Sequence, residues 1–214
     1  MANESKIVTL KNGYHVWTRK EGQGPIKILL LHGGPGMDHE YLEPFSNYIK
    51  MHPNIEIIYY DQLGSYFSDQ PNDPKLWTIP RFIEEIEEVR KAWDLDQFYL
   101  YGQSFGGLFA LEYAASKYGK HVKALIDSNM VDSYQDYAKY INKYRESMDP
   151  ADVSYMKKQE ERHNYDDPHY QELLMKLYHR CICRISPWPD AVQRTFDHMN
   201  EQVYVTLQGP TEFN

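Results

Sequence analysis

The chain has 214 residues, of which 42% are hydrophobic and 25% are charged, and its formal net charge is −8. These values are typical of a globular protein with one domain, or one domain that carries an insertion. The negative charge argues against a nucleic-acid-binding surface and against anionic membranes as partners. No stretch approaches the roughly 18 apolar residues of a transmembrane helix.

The N-terminal segment lacks the basic and apolar regions of a secretion signal, which favours a cytoplasmic location. Cys181 and Cys183 are the only cysteines, and their spacing suits neither a zinc ribbon nor a Cys-x-x-Cys redox pair. We therefore expect both to be reduced thiols with a structural role.

The predicted elements begin with a β-hairpin, because residues 6–10 and 14–19 flank an Asn-Gly turn. From residue 26 to about residue 128, apolar runs typical of buried strands alternate with helical patterns over short connections. The predicted strands are 26–31, 55–60, 97–101 and 122–127, and the predicted helices between them are 40–50, 80–93 and 105–118. This alternation predicts an α/β fold with a mostly parallel sheet and flanking helices, in which ligands bind at the carboxyl ends of the strands.

The alternation stops after Ser128, and residues 133–205 carry only helical patterns. We interpret residues 1–130 as the N-terminal part of an α/β core and residues 131–214 as a helical cap region. No strand pattern follows the cap, so we expect the C-terminal part of the core to be absent from this chain.

A candidate nucleophile lies between the third central strand and the helix that follows it. The segment Gly102-Gln103-Ser104-Phe105-Gly106 fits the Gly-x-Ser-x-Gly nucleophile elbow. The glycines remove side chains that would collide on so tight a turn, and the N-terminus of the helix favours developing negative charge beside the serine. The alternative is a tight turn that carries an inert serine.

A glycine-rich loop, His32-Gly33-Gly34-Pro35-Gly36, follows the first central strand. If Ser104 is a nucleophile on such a turn, we expect the backbone N–H groups of Gly33, Gly34 and Phe105 to form its oxyanion hole. A phosphate-binding loop is the competing interpretation, but neither of its glycine patterns is present. His32 precedes the serine in the chain, so we expect it to support the loop rather than to act as the catalytic base.

Asp61 follows the next strand and also precedes the serine. In this fold the triad acid comes after the nucleophile, so we favour a role for Asp61 in organising its loop.

Four motifs together resemble the proline iminopeptidases, or prolyl aminopeptidases, of peptidase family S33 in the α/β-hydrolase superfamily. They are "LLLHGGPG", "YYDQLGSYFSDQP", "YGQSFGG" and "QGPTEF", and the resemblance extends over nearly the whole chain. The chain departs from the family in having Phe105 where a tryptophan is usual, and Ser65-Tyr66 where many members have Cys-Gly.

The resemblance implies a serine exopeptidase that releases proline from peptides with a free N-terminal proline. Ser104 would attack the carbonyl carbon of the first residue, and Glu212, in the Gly-Pro-x-Glu-Phe segment, would bind the substrate's terminal amine. The resemblance implies no metal and no organic cofactor.

The resemblance also implies that the aspartate and histidine of the triad lie after the cap, which places them beyond residue 214. We therefore expect the chain alone to be weak or inactive and to need a complementing C-terminal segment. Two alternatives stay open: another α/β-hydrolase that acts on an ester, amide or epoxide-like substrate, and a catalytically inactive scaffold.

Overall fold

The computed structural model describes residues 3–130 and 133–213. Within these residues the strands form one six-stranded sheet in the order β1-β2-β4-β3-β5-β6. The strands are β1 (Asn3–Thr9), β2 (His15–Gly22), β3 (Ile26–Leu31), β4 (Ile55–Tyr60), β5 (Phe98–Gln103) and β6 (Val122–Ser128).

The parallel part of the sheet is centred on β3, which pairs with β4 on one side and with β5 on the other. β5 pairs in parallel with β6, whereas β1, β2 and β4 are joined by antiparallel pairing. The carboxyl ends of β3, β4 and β5 therefore meet at one edge of the sheet, as the sequence predicts for the loops that carry the candidate site.

Three helices cover the sheet: α1 (Phe45–Met51), α2 (Ile79–Ala92) and α3 (Phe105–Ala115). α2 begins after Thr78 with Pro80 in its first turn, as its sequence predicts. The helix predicted at 40–50 is instead split into a 3₁₀ turn, Glu40–Leu42, and α1, with Pro44 between them. Proline has no N–H to donate to the preceding turn, so a continuous helix is not favoured there.

In the described residues 133–213, five further helices make up the predicted helical cap, and most of them start at a residue whose side chain accepts a hydrogen bond from the first turn. Ser133, Asp149, Asp167 and Asn200 act in this way. The helices are α4 (Tyr134–Glu146), α5 (Pro150–Glu161), α6 (Pro168–Cys181), α7 (Asp190–Asp197) and α8 (Glu201–Leu207).

The apolar side chains form separate clusters in the core and in the cap. One face of the sheet packs against α2 and α3, and the other face packs against α1. The cap has its own cluster around Tyr170 and Phe213, while Val203 of α8 belongs to the cluster of the core. The division at residue 130 stays a prediction, since residues 131 and 132 lie outside the described residues.

Candidate active site

Ser104 occupies a backbone conformation that few non-glycine residues adopt. It lies between β5 and α3 with φ 52° and ψ −128°, and its side chain is half-buried rather than packed in the interior. Backbone hydrogen bonds hold this turn: the Ser104 N–H donates to the Ser128 carbonyl at 2.8 Å, and the Gly107 N–H donates to the Ser104 carbonyl at 2.7 Å. This is the strained strand-to-helix turn that the Gly-x-Ser-x-Gly pattern predicts.

The two glycines of the motif are required by close approach of backbone atoms. A Cβ on Gly102 would lie 2.3 Å from the carbonyl oxygen of Gly106. A Cβ on Gly106 would lie 2.3 Å from the carbonyl oxygen of Leu31, which couples the elbow directly to the end of β3. Both distances are far below van der Waals contact, so only glycine fits at these two positions.

The loop after β3 lies against Ser104. A Cβ on Gly33 would be 3.0 Å from the Ser104 Cβ, and Gly34 has φ +115°, in the region that favours glycine. The Gly33 N–H donates to the hydroxyl of Tyr41 at 2.8 Å. Gly34 lines the same two cavities as Ser104.

His32 lies completely buried beneath this loop. Its Nε2 accepts a hydrogen bond from the Gln62 N–H at 3.1 Å, which leaves Nδ1 to donate to the Gly33 carbonyl at 2.9 Å. Burial lowers the pKa of His32 and so favours the neutral ring that this pairing requires. The prediction that His32 supports the loop is confirmed.

Asp61 is also completely buried, and it organises the loop after β4. Its Oδ1 accepts from the His39 N–H at 2.9 Å and lies 2.8 Å from His39 Nδ1. Its Oδ2 accepts from the Phe67 N–H at 3.3 Å. All these partners belong to loops beside the sheet edge, so the predicted structural role of Asp61 is confirmed.

Two cavities, of about 170 and 480 Å³, open beside Ser104. The smaller one has mainly apolar walls contributed by the 37–41 segment and by the cap. The larger one is bounded by Phe105, by the segment that follows β6 and by α4. Both are lined by Gly34, Gln103, Ser104, Ile182 and Glu212.

Glu212 presents its carboxylate to this cleft between hydrogen-bond donors. The Tyr204 hydroxyl donates to Oε1 at 2.7 Å, while the Tyr137 hydroxyl and the Gln208 amide donate to Oε2. Burial raises the pKa of Tyr204 well above its usual range, so its phenol stays a protonated donor. The structure thus brings Ser104 and Glu212, which are 108 positions apart in the chain, to one cleft.

Neither cavity is lined by a histidine within the described parts of the chain. His198, which follows α7, lies with its Nδ1 2.8 Å from Glu40 Oε2 and 3.3 Å from Asp38 Oδ2. The ligand atoms of these three residues lie within 4.8 Å of one another, a spacing that could hold a metal ion. Here the guanidinium of Arg194 also pairs with Glu40, so a protein cation already lies against this acidic cluster.

The sequence analysis missed the tyrosines of the site. Tyr41, Tyr137 and Tyr204 each bond a predicted site residue through the hydroxyl group. Nineteen tyrosines are present, and no spacing sets these three apart before the fold brings them to the cleft.

The fold and this geometry agree with comparisons to known proteins. Residues 27–157 match the family described as alpha/beta hydrolase fold. The proline iminopeptidase of Elizabethkingia meningoseptica is 45% identical over 210 residues, which cover 96% of this chain and 70% of the relative. That of Flavobacterium johnsoniae is 44% identical and is covered to 71% of its length.

Solved structures give the same result. The proline iminopeptidase of Mycobacterium smegmatis superposes with a TM-score of 0.83 at 25% identity, and VinJ with a TM-score of 0.91 at 27% identity. Each comparison covers 99% of this chain and 73% of the other. The chain therefore belongs to the α/β-hydrolase fold family. Within that family it groups with the proline iminopeptidases, of whose length it spans about 70% in the relatives named above.

No helix in residues 3–130 and 133–213 has the length and apolar character needed to cross a membrane.

Proposed function

We propose that this protein is a serine exopeptidase that releases the N-terminal proline of peptides. The observation that carries the proposal is that Ser104, on its strained elbow, and the carboxylate of Glu212 line the same two cavities. A nucleophile and an anionic anchor for an amine can therefore act on one bound substrate. The proposed specificity for proline is inferred from the relatives, which are named proline iminopeptidases.

In the proposed reaction Ser104 Oγ attacks the carbonyl carbon of the first residue as a base takes its proton. The oxyanion accepts hydrogen bonds from backbone N–H groups, and we assign these to Gly34 and Phe105. The N–H of Gly33, also predicted as a donor, is already bonded to Tyr41. The C–N bond then breaks, the proton passes to the leaving amine, and water hydrolyses the prolyl ester.

Glu212 gives the site its preference for a free N-terminus. Its carboxylate would form charge-assisted hydrogen bonds with the secondary ammonium of proline. The smaller cavity, with apolar side chains such as Met37, Val192 and Phe196, would hold the pyrrolidine ring. The larger cavity, on the other side of Ser104, would hold the rest of the peptide.

We further propose that a complementing C-terminal segment supplies the catalytic histidine and its aspartate. Two observations support this proposal: the relatives are longer than this chain, and no histidine lines the cleft within the described residues. In the described sheet β6 is an outer strand, and its Ile126 side chain is 43% exposed. An additional strand could pair at this edge and carry such residues towards Ser104.

The test compares hydrolysis of Pro-linked and Ala-linked chromogenic amides by the protein together with its complementing C-terminal segment. We expect kcat/KM to favour proline by at least about tenfold, Ser104→Ala to abolish turnover, and Glu212→Gln to lower kcat/KM by about 100-fold. Glu201→Gln, which changes an exposed glutamate of α8, is the matched control and should behave as the wild type.

Preference for alanine, or cleavage of simple esters only, would overturn the proposal in favour of another α/β-hydrolase. If neither amide were hydrolysed and a fluorophosphonate also failed to label Ser104, the result would favour an inactive scaffold.

A further inference from the structure

Tyr41 lies where the loop after β3 meets the nucleophile elbow after β5. Its hydroxyl accepts a hydrogen bond from the Gly33 N–H at 2.8 Å and donates to Gln103 Oε1 at 2.6 Å. One oxygen atom therefore joins the residue before Gly34 to the residue before Ser104. Burial raises the pKa of Tyr41 far above its usual range, so this phenol remains protonated and keeps its donor.

The surroundings leave Tyr41 little freedom. The ring belongs to the 3₁₀ turn Glu40–Leu42, and its backbone N–H donates to Thr195 Oγ1 of α7 at 3.1 Å. The Thr195 hydroxyl in turn donates to the buried Asp38 at 2.6 Å. The position of Tyr41 is therefore fixed by the cap as well as by the core.

The atoms that Tyr41 joins are packed closely together. A Cβ on Gly33 would lie 2.9 Å from the Gln103 carbonyl oxygen and 3.0 Å from Gln103 Oε1. A small rotation of either loop would change both the direction of the Gly34 N–H and the direction of Ser104 Oγ. Donors in an oxyanion hole act only when they are held close to the oxyanion position, and sub-ångström errors reduce their effect.

We propose that Tyr41 is a positioning residue that aligns the oxyanion loop with the nucleophile by holding Gly33 and Gln103 through one hydroxyl group. The role rests on the proposed serine hydrolase chemistry, which Tyr41 serves without touching the reacting atoms. Its loss affects the transition state more than substrate binding.

The first test is Tyr41→Phe, which keeps the ring and removes the hydroxyl. In the protein complemented by its C-terminal segment, we expect kcat for a Pro-linked amide to fall about 10- to 100-fold while KM stays within about twofold, since the interaction acts in the transition state. Tyr59→Phe is the matched control, because the Tyr59 hydroxyl is also buried but bonds Ser46 at 3.0 Å, outside both cavities. An unchanged kcat in Tyr41→Phe, or an equal loss in Tyr59→Phe, would overturn the assignment.

The second test needs no turnover, so it separates failure of this proposal from failure of the proposed function. Hydrogen–deuterium exchange in Tyr41→Phe should become about tenfold faster in peptides that cover residues 32–37 and 102–106, and remain unchanged in the rest of the sheet. If Tyr41→Phe folds poorly, Gln103→Met serves in its place. This variant removes the oxygen that accepts the Tyr41 hydroxyl and should produce the same local pattern. Faster exchange spread evenly over the sheet, or no local change in either variant, would refute the positioning role.

Discussion

At the scale of single residues, the elbow is built by steric exclusion rather than by attraction. Ser104 holds a positive φ because the chain must turn from β5 into α3 within one residue. The turn can close only because Gly102 and Gly106, two residues before and after Ser104, carry no Cβ. The strain of such a residue, about 1–3 kcal/mol, is offset by the packing of the strand and helix that it joins.

Gly106→Ala should therefore damage both stability and the site. Its Cβ would meet the carbonyl oxygens of Leu31 and His32 at 2.3 and 2.5 Å, and two backbone segments would have to separate. We expect the free energy of unfolding, measured by urea denaturation, to fall by about 3 kcal/mol, with loss of labelling at Ser104 by a fluorophosphonate.

Gly13→Ala is the control, because a Cβ there meets no atom within 4 Å. The only expected destabilisation is that of an alanine in the left-handed region at φ +89°, about 1 kcal/mol. Equal losses in the two variants would show that the contact at β3 does not constrain the elbow.

The sequence predicts those site residues whose chemistry depends on local chain geometry. Ser104 and its glycines are required by a turn five residues long, and His32 and Asp61 follow strands directly. Tyr41 could not be predicted, because its role depends on Gln103, 62 positions away. Nothing in a local pattern indicates which hydroxyl group will reach such a partner.

At the scale of elements, the strands and the core helices follow from apolar periodicity, and the boundaries follow from capping groups. β3 and β4 begin and end where the sequence predicts. α3 ends at Ala115 rather than at 118, since the Ser116 hydroxyl bonds the Tyr113 carbonyl and Ser116 itself is extended. Such a cap competes with the helix and is difficult to anticipate from periodicity alone.

The contact between α2 and α3 includes one buried carboxylate, that of Glu87. Burial raises its pKa, but hydrogen bonds from Arg90, Lys91 and Tyr113 outweigh this effect and hold the pKa at about 2, below the ordinary 4.5. The Tyr113 hydroxyl reaches Glu87 from α3 at 2.8 Å. Ionised Glu87 therefore stabilises the packing of the two helices.

Because the pKa of Glu87 is lower in the folded state, its contribution is fully present above about pH 4.5 and is lost as the pH falls towards 2. Glu87→Gln should reduce the free energy of unfolding by about 2 kcal/mol at pH 7, and the difference from the wild type should shrink between pH 4.5 and pH 2. Urea denaturation at several pH values measures this difference.

Glu112→Gln, on the exposed side of α3, should follow the wild type at every pH. A difference between Glu87→Gln and the wild type that stays constant with pH would contradict the assignment.

At the scale of the whole molecule, α7 and α8 are fixed to the core by polar contacts at the sheet edge. Arg194 bonds Glu40 and Glu43, while the ring of His198 stacks on Tyr66 at 3.7 Å. The Asn200 N–H donates to the Gly36 carbonyl at 2.8 Å. These contacts place the cap wall of the smaller cavity against the glycine-rich loop after β3.

The same arrangement leaves the larger cavity without a histidine among the described residues, and the carboxylate of Glu212 that lines it is already bonded by three donors. A serine hydroxyl is a weak nucleophile unless a base takes its proton as it attacks, and such a base typically contributes 10²- to 10⁴-fold to the rate. The cavity, at about 480 Å³, is large enough to admit a small molecule beside Ser104. A small base from solution could therefore be tested as a substitute for the absent histidine.

We expect imidazole to accelerate cleavage of a Pro-linked amide by the 214-residue chain, by about tenfold or more at high concentration, since it can enter this cavity and act as the base. The rate should follow the neutral form of imidazole, and so rise as the pH increases through about 6.5–7. Ser104→Ala should show no such increase, and Tris at equal pH and ionic strength should not replace imidazole. If the chain is instead fully active without imidazole and indifferent to its addition, a histidine of the chain must be the base. His198→Ala would then be the first variant to test, because His198 directly precedes Met199, which lines the smaller cavity beside Ser104.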